Sequence, residues 1–341
     1  MNNRYVRQAL FLGENTQQRI QQAKVLIIGA GALGSASAEM LARAGIGQLT
    51  IVDRDYVEWS NLQRQQLYDE ADVQQNVPKA IAAKKRLAQI NSEITIVGIV
   101  EDVHGLNIEE LMKNHTIVVD ATDNFETSLV INDAAMKQGI PYIFGACVGS
   151  YGLVLPIIPD ETTCLHCLLQ HLPLDTMTCD TVGVISPIVQ VIAAFQVTHV
   201  LKWSAGKIVA PIVQSIDLWK DEKSEINVAK LKNPHCPTCG EQRTYPFLQF
   251  ENQMKIHVLC GRDAVQLRPG HVQAYSLEQL ASNVSKHVTN VVLNPYLLSC
   301  QFEGYRIVFF ANGRAIIHGV TDSTIARKVY SQFLQMAGTS K

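Results

Sequence analysis

The chain has 341 residues, of which 47% are hydrophobic and 18% are charged, and its formal net charge is −2. This composition is typical of a globular protein, and the small net charge excludes a global field that attracts nucleic acid or an anionic membrane. The N-terminal segment lacks the apolar stretch of a signal peptide, and no apolar run reaches membrane-spanning length. We therefore expect a cytoplasmic protein whose eight cysteines are reduced.

Strand and helix patterns alternate over the first two-thirds of the chain. Strands are predicted from KVLIIGA, QLTIVDRD, EITIVGIVEDV, HTIVVDATDN and IPYIFGACV. Helices are predicted from SASAEMLARAG, PKAIAAKKRLAQIN, SLVINDAAMKQG and VISPIVQVIAAFQV. Short links between alternating strands and helices predict an α/β fold with a Rossmann-like, doubly wound, mostly parallel sheet. Ligands of such sheets bind beyond the carboxyl ends of the strands, so the residues after IIG, IVD and VVD are expected to meet at one site.

A domain boundary is predicted near residue 240, where NPHCPTCGEQRTYP is rich in polar and turn-forming residues. The remainder, residues 241–341, contains strand patterns in MKIHVLC, LLSCQFE, YRIVFFA and RAIIHGV. Helical patterns occur in LEQLASNVSKH and DSTIARKVYSQFLQ, and FEGYR and FANGRA predict hairpin turns. These patterns indicate a small C-terminal α+β domain.

Gly29, Gly31 and Gly34 have the spacing G-x-G-x-x-G between the first predicted strand and helix. The first glycine permits a tight turn, the second lets a phosphate approach the backbone, and the third lets helix and strand pack closely. The helix N-terminus offers free N–H groups to an anion. Asp53 ends the next strand, where a carboxylate can hold ribose hydroxyls. A nucleotide site is therefore predicted, and these residues alone equally fit an NAD-dependent oxidoreductase.

Basic and acidic residues downstream favour a triphosphate. Arg64 in SNLQRQ and Lys79 in VPKA are suited to stabilising charge on pyrophosphate, although each alone also fits a basic loop or a solvated helix start. Asp120 and Asp123 follow a buried strand in DATDN, where a carboxylate can hold Mg²⁺. Asp123 is the better candidate for magnesium, since Asn124 is suited to capping the next helix.

Two C-x-x-C pairs predict a structural zinc site: Cys164 with Cys167, and Cys236 with Cys239. Four thiolates make a closed tetrahedral Zn²⁺ site, and the long separation suits a clamp that pins the end of the domain onto an earlier loop. His166 is a rival ligand that we expect to point away. Redox-active pairs or unpaired thiols are the alternative interpretation.

Three cysteines outside these pairs are candidates for a functional or a structural role. Cys179 lies in a polar segment before a helix predicted to start near Pro187, and a nearby helix N-terminus favours a thiolate. Free cysteines are more often buried and inert, so a catalytic and a structural role both stay open for Cys179. We expect Cys147 to pack behind a strand and Cys260 to be structural.

The chain resembles the MoeB/ThiF/HesA family of ubiquitin-activating-enzyme-like adenylyltransferases over roughly residues 4–240. The resemblance is carried by RYVRQ, GAGALG, SNLQRQ, VPKA, DATDN and the two C-x-x-C pairs, in this order. It implies an ATP-binding adenylation domain with a four-cysteine zinc site over residues 1–240 and an accessory domain of unknown role over residues 241–341. It also implies ATP-dependent adenylation of the C-terminal glycine of a ubiquitin-like sulfur carrier of the ThiS or MoaD type. The product would be activated for thiocarboxylate formation in thiamine or molybdenum-cofactor biosynthesis, with a separate persulfide donor.

Individual residues match positions with known roles in that family. The matching nucleotide-site residues, apart from the glycines, are Asp53, Asn61, Arg64, Lys79 and Asp123. The first matches a ribose-binding acid, the next three match phosphate contacts, and the last matches a Mg²⁺-associated aspartate. Arg7 in RYVRQ matches an arginine that reaches the ATP of the partner subunit, which implies a homodimer. Cys179 matches a cysteine that, by this resemblance, links covalently to the carrier in thiamine-type relatives and is unnecessary in molybdopterin-type relatives.

The implied reaction is attack of the carrier carboxylate on the α-phosphorus of ATP. No general base is needed because the nucleophile is already an anion, and Arg64, Lys79, magnesium at Asp123 and a partner's arginine stabilise the leaving pyrophosphate. The alternatives are an NAD oxidoreductase, a related enzyme that adenylates tRNA or a peptide, and an inactive binding module. The four-cysteine site and the lack of basic excess count against tRNA. TCDTVG and the extra domain lean slightly towards a thiamine-type carrier.

Overall fold

The computed structural model describes residues 3–171, 182–207, 210–249, 255–259, 263–269 and 274–338. The chain divides into two units, Met1–Phe250 and Glu251–Lys341. Across these described ranges, no helix combines the length and the apolar character that crossing a membrane requires.

The first unit is built on one eight-stranded sheet. Its strands are β1 (Lys24–Ile28), β2 (Gln48–Val52), β3 (Thr95–Ile99), β4 (Ile117–Asp120), β5 (Tyr142–Val148), β6 (Tyr151–Ile157), β7 (Ile212–Asp217) and β8 (Glu222–Asn227). The spatial order is β3-β2-β1-β4-β5-β6-β7-β8. Pairs from β3 to β5 are parallel, and β6, β7 and β8 are added antiparallel. The predicted Rossmann-like, mostly parallel sheet is confirmed, and the antiparallel extension was not predicted.

Helices cover both faces of this sheet. They are α1 (Val6–Leu12), α2 (Glu14–Gln22), α3 (Ala32–Ala44), α4 (Glu70–Gln74), α5 (Lys79–Ile90), α6 (Ile108–Met112), α7 (Phe125–Gln138), α8 (Leu165–Leu169) and α9 (Ser186–Ser204). Short 3₁₀ turns occur at Asn3–Tyr5, Trp59–Asn61, Ala229–Leu231 and Pro246–Leu248.

Alternating side chains of β1 divide the core into two layers. Val25 and Ile27 pack with α3, α5 and α9, whereas Leu26 and Ile28 pack with α6, α7 and α8. This follows from the two-residue period of a strand and explains why β1 reads as a continuous apolar run. Because β1, β2, β3 and β4 are parallel, their carboxyl ends share one edge of the sheet.

The second unit is an antiparallel sheet with two helices. Its elements are β9 (Lys255–Leu259), β10 (Ala264–Arg268), α10 (Leu277–Val284), β11 (Thr289–Leu293), β12 (Leu297–Phe302), β13 (Tyr305–Phe310), β14 (Ala315–His318) and α11 (Ser323–Met336). The strand order is β11-β12-β13-β14-β10-β9. Both predicted hairpin turns are present, and the first places Glu303 and Gly304 at φ of 49° and 85°.

Candidate nucleotide-binding site and metal centre

The glycine turn joins β1 to α3 and leaves no room for side chains at two of its three glycines. Gly29 has a φ of +94°, and a Cβ there would lie 2.5 Å from the carbonyl oxygen of Ala121. A Cβ on Gly34 would lie 1.9 Å from the carbonyl oxygen of Gly29. Gly31 is different, since the nearest atom to an added Cβ is Gln65 Nε2 at 4.0 Å. The turn is therefore tight against β4 and open above Gly31.

Asp53 follows β2 and is hydrogen-bonded to the glycine turn. Its Oδ2 accepts from the backbone N–H of Ala30 at 2.6 Å, and its Oδ1 accepts from that of Asp55 at 2.6 Å. Burial raises the pKa of this carboxyl, as does the nearby Asp55 carboxylate, whereas Lys79 lowers it. Tyr68 fixes the turn from the other side by donating its hydroxyl to the carbonyl of Ala30 at 2.5 Å.

The SNLQRQ segment carries a buried amide group that faces no protein acceptor. Asn61 is 1% exposed, and its Oδ1 accepts from the N–H of Glu58 at 3.0 Å. Within the described ranges, neither Asn61 Nδ2 nor Gln65 Oε1 has a hydrogen-bond partner. Buried polar groups are rarely left unsatisfied, so these two groups, of which Gln65 lies beside the open Gly31, indicate a place for a polar ligand.

Arg64 and Lys79 contribute two differently placed cations. Arg64 is half-buried, and its Nη1 donates to the carbonyl of Ser60 at 2.8 Å. Lys79 is the first residue of α5, is 3% exposed, and its Nζ lies 3.6 Å from Asp55 Oδ2. The predicted proline start of this helix is present, with Pro78 at the N-cap.

The end of β4 supplies one buried and one exposed carboxylate. Asp120 is fully buried, and its Oδ1 accepts from the N–H and the hydroxyl of Thr122 at 3.1 and 2.8 Å. Burial raises the pKa of Asp120 to about 6. Asp123 is exposed, and its Oδ1 accepts from Asn124 Nδ2 at 3.3 Å. Asn124 caps α7 by accepting from the N–H of Thr127 at 2.9 Å, as expected from the sequence.

A second pair of charges links the ends of β2 and β3. Arg54 Nη1 donates to Asp102 Oδ1 at 2.9 Å, and Arg54 Nε lies 3.9 Å from Asp55 Oδ1. Burial disfavours the charged guanidinium, but the carboxylates of Asp102, Asp55 and Asp123 together raise its pKa. Sequence reasoning missed these residues, although the acidic ends of IVDRD and GIVED were a signal for them.

The described residues do not place two of the predicted site residues, Arg7 and Cys179, at the nucleotide site. Arg7 lies on the exposed side of α1, and its side chain makes no hydrogen bond or ion pair with any described residue. Cys179 lies outside the described residues. Cys260 also lies outside the described residues. Cys147 is half-buried at the end of β5. Burial raises the pKa of Cys300, in β12, to about 12.

The four predicted zinc ligands form one buried cluster. The sulfur atoms of Cys164, Cys167, Cys236 and Cys239 all lie within 4.8 Å of one another. Cys164 Sγ is 3.7 Å from Cys236 Sγ, and Cys167 Sγ is 3.6 Å from Cys239 Sγ. A tetrahedron with Zn–S bonds of about 2.3 Å has S–S edges of about 3.8 Å, so the four sulfur atoms fit a Zn²⁺ ion.

Backbone and side-chain donors surround these sulfur atoms. The N–H of Asn233 points to Cys167 Sγ at 3.5 Å, and the N–H of Thr238 points to Cys236 Sγ at 3.4 Å. The expectation that His166 points away is wrong, because its Nδ1 lies 3.5 Å from Cys236 Sγ. The imidazole is therefore a hydrogen-bond partner of a ligand, a role that supports thiolate charge.

The metal centre is tied to α7, the helix that begins after DATDN. Thr238 donates its hydroxyl to Asp133 Oδ1 at 2.6 Å, and the N–H of Leu165 donates to Asn132 Oδ1 at 2.9 Å. Both cysteine-bearing segments are thus hydrogen-bonded to neighbouring residues of one helix. The cysteine cluster joins the end of the unit to an earlier loop, as the spacing predicts, whereas its attachment to α7 was not predicted.

The Rossmann-like sheet, its glycine turn and the acid after the adjacent strand are features of α/β nucleotide-binding proteins, and the four-thiol cluster is one that could hold a metal ion. The ThiF family model matches residues 5–238, and the chain belongs to the ThiF family. The family predicted from the sequence motifs is confirmed.

Relatives with assigned activities are similar over different shares of the chain. The sulfur carrier protein ThiS adenylyltransferase of Bacillus subtilis is 52% identical over 336 residues, which cover 98% of this chain and 100% of the relative. The molybdopterin-synthase adenylyltransferase of Salmonella typhimurium is 33% identical over 243 residues, covering 70% of this chain and 96% of the relative.

Solved structures support the fold. A crystal structure of E. coli MccB with ATP matches with a TM-score of 0.61 and 24% identity, covering 70% of this chain and 75% of that one. At this identity the match supports the architecture of the sheet and its helices.

Proposed function

We propose that this protein is an adenylyltransferase that uses ATP to activate the C-terminal glycine of a ubiquitin-like sulfur carrier protein. Pyrophosphate leaves, and the carrier acyl-adenylate is ready to accept sulfur as a thiocarboxylate. The observation that carries this proposal is the 52% identity to a ThiS adenylyltransferase over the whole of that relative. The related activities of family members that are about one-third identical point to the same chemistry.

A ThiS-type carrier, and hence thiamine biosynthesis, is the more specific proposal. The molybdopterin-type relative from Salmonella covers 70% of the chain, whereas the ThiS-type relative from Bacillus covers 98%. The second unit is therefore shared with an enzyme named for ThiS. A MoaD-type carrier of molybdenum-cofactor biosynthesis is the alternative, because the adenylation unit alone resembles both kinds of enzyme.

The nucleotide would lie along the carboxyl edge of β1, β2 and β4. Asp53 would accept from the ribose hydroxyls, and the open face of Gly31 would leave room for a phosphate. Asn61 Nδ2, which has no hydrogen-bond partner within the described ranges, and the cations of Arg64 and Lys79 would donate to the phosphate oxygens. Such donors act strongly when water is excluded, which the burial of Asn61 and Lys79 favours.

Asp123 is the residue that would hold magnesium. Its carboxylate is exposed at the ligand edge, and within the described ranges no cation lies at ion-pair distance from it, although it is one of the charges that raise the pKa of Arg54. Oxygen ligands of this kind suit Mg²⁺, which supplies charge neutralisation to the phosphate oxygens when bound. Asn124, by capping α7, keeps the loop that carries Asp123 at the end of β4.

The reaction requires positioning more than proton transfer. An oxygen of the carrier's C-terminal carboxylate forms a bond to the α-phosphorus, and the bond from that phosphorus to the bridging oxygen of pyrophosphate breaks. The nucleophile is already an anion near neutral pH, so no side chain has to remove a proton. Arg64 and Lys79 stabilise the negative charge that accumulates on the leaving pyrophosphate.

A homodimer is proposed from α1. Leu10 and Phe11 are 78% and 89% exposed, and Arg7 lies on the same short helix. Contact of this helix with a second copy would cover apolar surface and deliver Arg7 to the partner's phosphates. Mixing Arg7→Ala and Lys79→Met chains tests this: random pairing makes about half of the dimers mixed, each with one intact site of two, so the mixture should recover about a quarter of the normal activity. Absence of recovery would show that Arg7 does not act across subunits.

Three further assignments complete the proposal. Zn²⁺ would be held by Cys164, Cys167, Cys236 and Cys239 and would stabilise the fold around α7. A covalent link between Cys179 and the carrier is proposed from the family match alone, and mass spectrometry of carrier conjugates with Cys179→Ser tests it. The sulfur would come from a separate persulfide donor in the cytoplasm, a compartment that suits reduced thiols.

Exchange of labelled pyrophosphate into ATP tests the activity. Exchange is expected only when a carrier ending in Gly-Gly is present, and we expect Arg64→Ala to reduce it by about 10²–10³-fold. Exchange that persists undiminished in Arg64→Ala would refute the role of that residue. Tight NADH binding without ATP binding would favour an oxidoreductase.

A further inference from the structure

Lys79 is a buried cation that lies against the carboxylate of Asp55 and also interacts electrostatically with the buried carboxyl of Asp53. Its side chain is 4% exposed, and its Nζ lies 3.6 Å from Asp55 Oδ2. Its backbone N–H also donates to the carbonyl of Asp55 at 2.8 Å. The separation of 3.6 Å is that of an ion pair, longer than a hydrogen bond, and no described residue accepts a hydrogen bond from this ammonium. The ammonium is therefore fixed by charge while its N–H donors are left for a ligand.

Asp55 is itself oriented by charges on both sides. Its Oδ2 faces Lys79, and its Oδ1 lies 3.9 Å from Arg54 Nε. Arg54 in turn donates from Nη1 to Asp102 Oδ1 at 2.9 Å, and the Asp102 side chain is 7% exposed. A row of alternating charge thus runs from the end of β3 to the start of α5.

The same short segment carries the predicted ribose ligand. The N–H of Asp55 donates to Asp53 Oδ1 at 2.6 Å, so this hydrogen bond ties the backbone of Asp55 to the carboxylate of Asp53 within one loop. A change in the placement of this loop would move the ribose site and the lysine together. Pre-organised charges are more effective than mobile ones because their ordering does not oppose binding.

We infer that Asp55 is a positioning residue for Lys79, buttressed by the Arg54–Asp102 pair. Asp55 holds the ammonium in the site before the nucleotide arrives, and it compensates a charge whose burial would otherwise be unfavourable. Its contribution to ATP binding passes through Lys79. This inference rests on the proposed function, since it requires that Lys79 binds ATP phosphates.

A double-mutant cycle on the full chain tests the inference. Calorimetric titration with MgATP, in the absence of any carrier, gives the dissociation constants of wild type, Asp55→Asn, Lys79→Met and the double variant. We expect Asp55→Asn to weaken binding about tenfold, a size usual for residues in direct contact. The double variant should bind ATP no more weakly than Lys79→Met alone, because the positioned group is then missing.

Asp69→Asn is the matched control. Asp69 also forms an ion pair, with Arg86 at 2.6 Å, but it is exposed at the N-cap of α4, and asparagine caps helices as well as aspartate. Its ATP affinity should equal that of wild type. Asp102→Asn is a second variant that reports on the buttress: it should weaken ATP binding about threefold in the wild-type background and not at all beside Lys79→Met.

The outcomes separate the inference from the proposed function. The positioning role would be overturned if Asp55→Asn reduced ATP affinity by the same factor in wild type and in Lys79→Met. It would also be overturned if Asp55→Asn alone bound ATP as tightly as wild type or more tightly. If neither Asp55→Asn nor Asp102→Asn folds, the inference is also overturned, because these carboxylates would then be required for folding and not for positioning Lys79. If wild type does not bind ATP, the proposed function fails, whatever the variants do.

Discussion

The close contact at Gly34 and the open space at Gly31 predict different effects for alanine substitutions at these two positions of the glycine turn. In Gly34→Ala the new Cβ would lie 1.9 Å from the carbonyl oxygen and 2.8 Å from the carbonyl carbon of Gly29. Both atoms are backbone, so α3 has to move away from β1 by more than an ångström. Overpacking of this kind costs about 1–3 kcal/mol, which corresponds to a melting temperature lower by about 2–12 °C for a unit of this size.

Gly31→Ala should leave the fold intact and impair ligand binding. The nearest atom to the added methyl group is Gln65 Nε2 at 4.0 Å, so the folded chain accommodates it without adjustment. The methyl group would occupy the space that a phosphate needs to reach the backbone. We expect a melting temperature within about 2 °C of wild type and an ATP affinity lower by about tenfold or more.

Thermal unfolding and calorimetric titration of the two variants distinguish these effects. The expected pattern is a loss of stability in Gly34→Ala and a loss of ATP affinity at normal stability in Gly31→Ala. Wild-type ATP affinity in Gly31→Ala would refute the placement of phosphate above this glycine. A wild-type melting temperature in Gly34→Ala would refute the close approach of α3 to the turn.

Three other predictions concern a buried acid, the metal centre and the orphaned amide. Because burial raises the pKa of Asp120 to about 6, the native state holds more protons than the unfolded state, and stability falls as the pH rises. From pH 5 to 7 this fall is about 1 kcal/mol, and urea unfolding should show that Asp120→Asn removes it; an unchanged pH slope would contradict the argument. Cys236→Ser should lose the bound zinc and unfold at a lower temperature, whereas Cys300→Ala, which removes a buried cysteine of the second unit, should keep one zinc per chain by elemental analysis. Asn61→Asp keeps the oxygen that accepts from Glu58 but replaces the Nδ2 donor with a carboxylate oxygen, so calorimetry should show ATP binding at least about tenfold weaker, and burial of the new charge should also lower the melting temperature. Equal affinity would show that this amide does not face the phosphates.

The local features of the nucleotide site were predictable from the sequence. A strand that turns at Gly29 and an acid at the end of the next strand are short-range patterns with one physical explanation. Asn124 was predicted as a helix cap for the same reason, since capping depends on residues three positions apart. The parallel direction of β1 to β5 was predictable from the alternation of strands and helices.

Features that depend on long-range pairing were not predictable. All six residues of β8, EKSEIN, are exposed, so the strand has no apolar pattern and is defined only by pairing at the edge of the sheet. The pairing of Arg54 with Asp102 joins residues that are distant in sequence, and neither residue type indicates its partner. His166 was misjudged because the spacing C-x-H-C fixes the cysteines and leaves the direction of the imidazole to the packing of α8.

The mass of the carrier protein after reaction tests the central claim most directly. Incubation of the enzyme with MgATP and a ThiS-type carrier ending in Gly-Gly should produce a carrier heavier by one adenylate group, located at its C-terminal glycine. A carrier that lacks the last glycine should remain unmodified, and so should the intact carrier incubated with Arg64→Ala for the same time. An unmodified carrier in the wild-type reaction, with ATP bound and zinc present, would contradict the assignment of this protein as a sulfur-carrier adenylyltransferase.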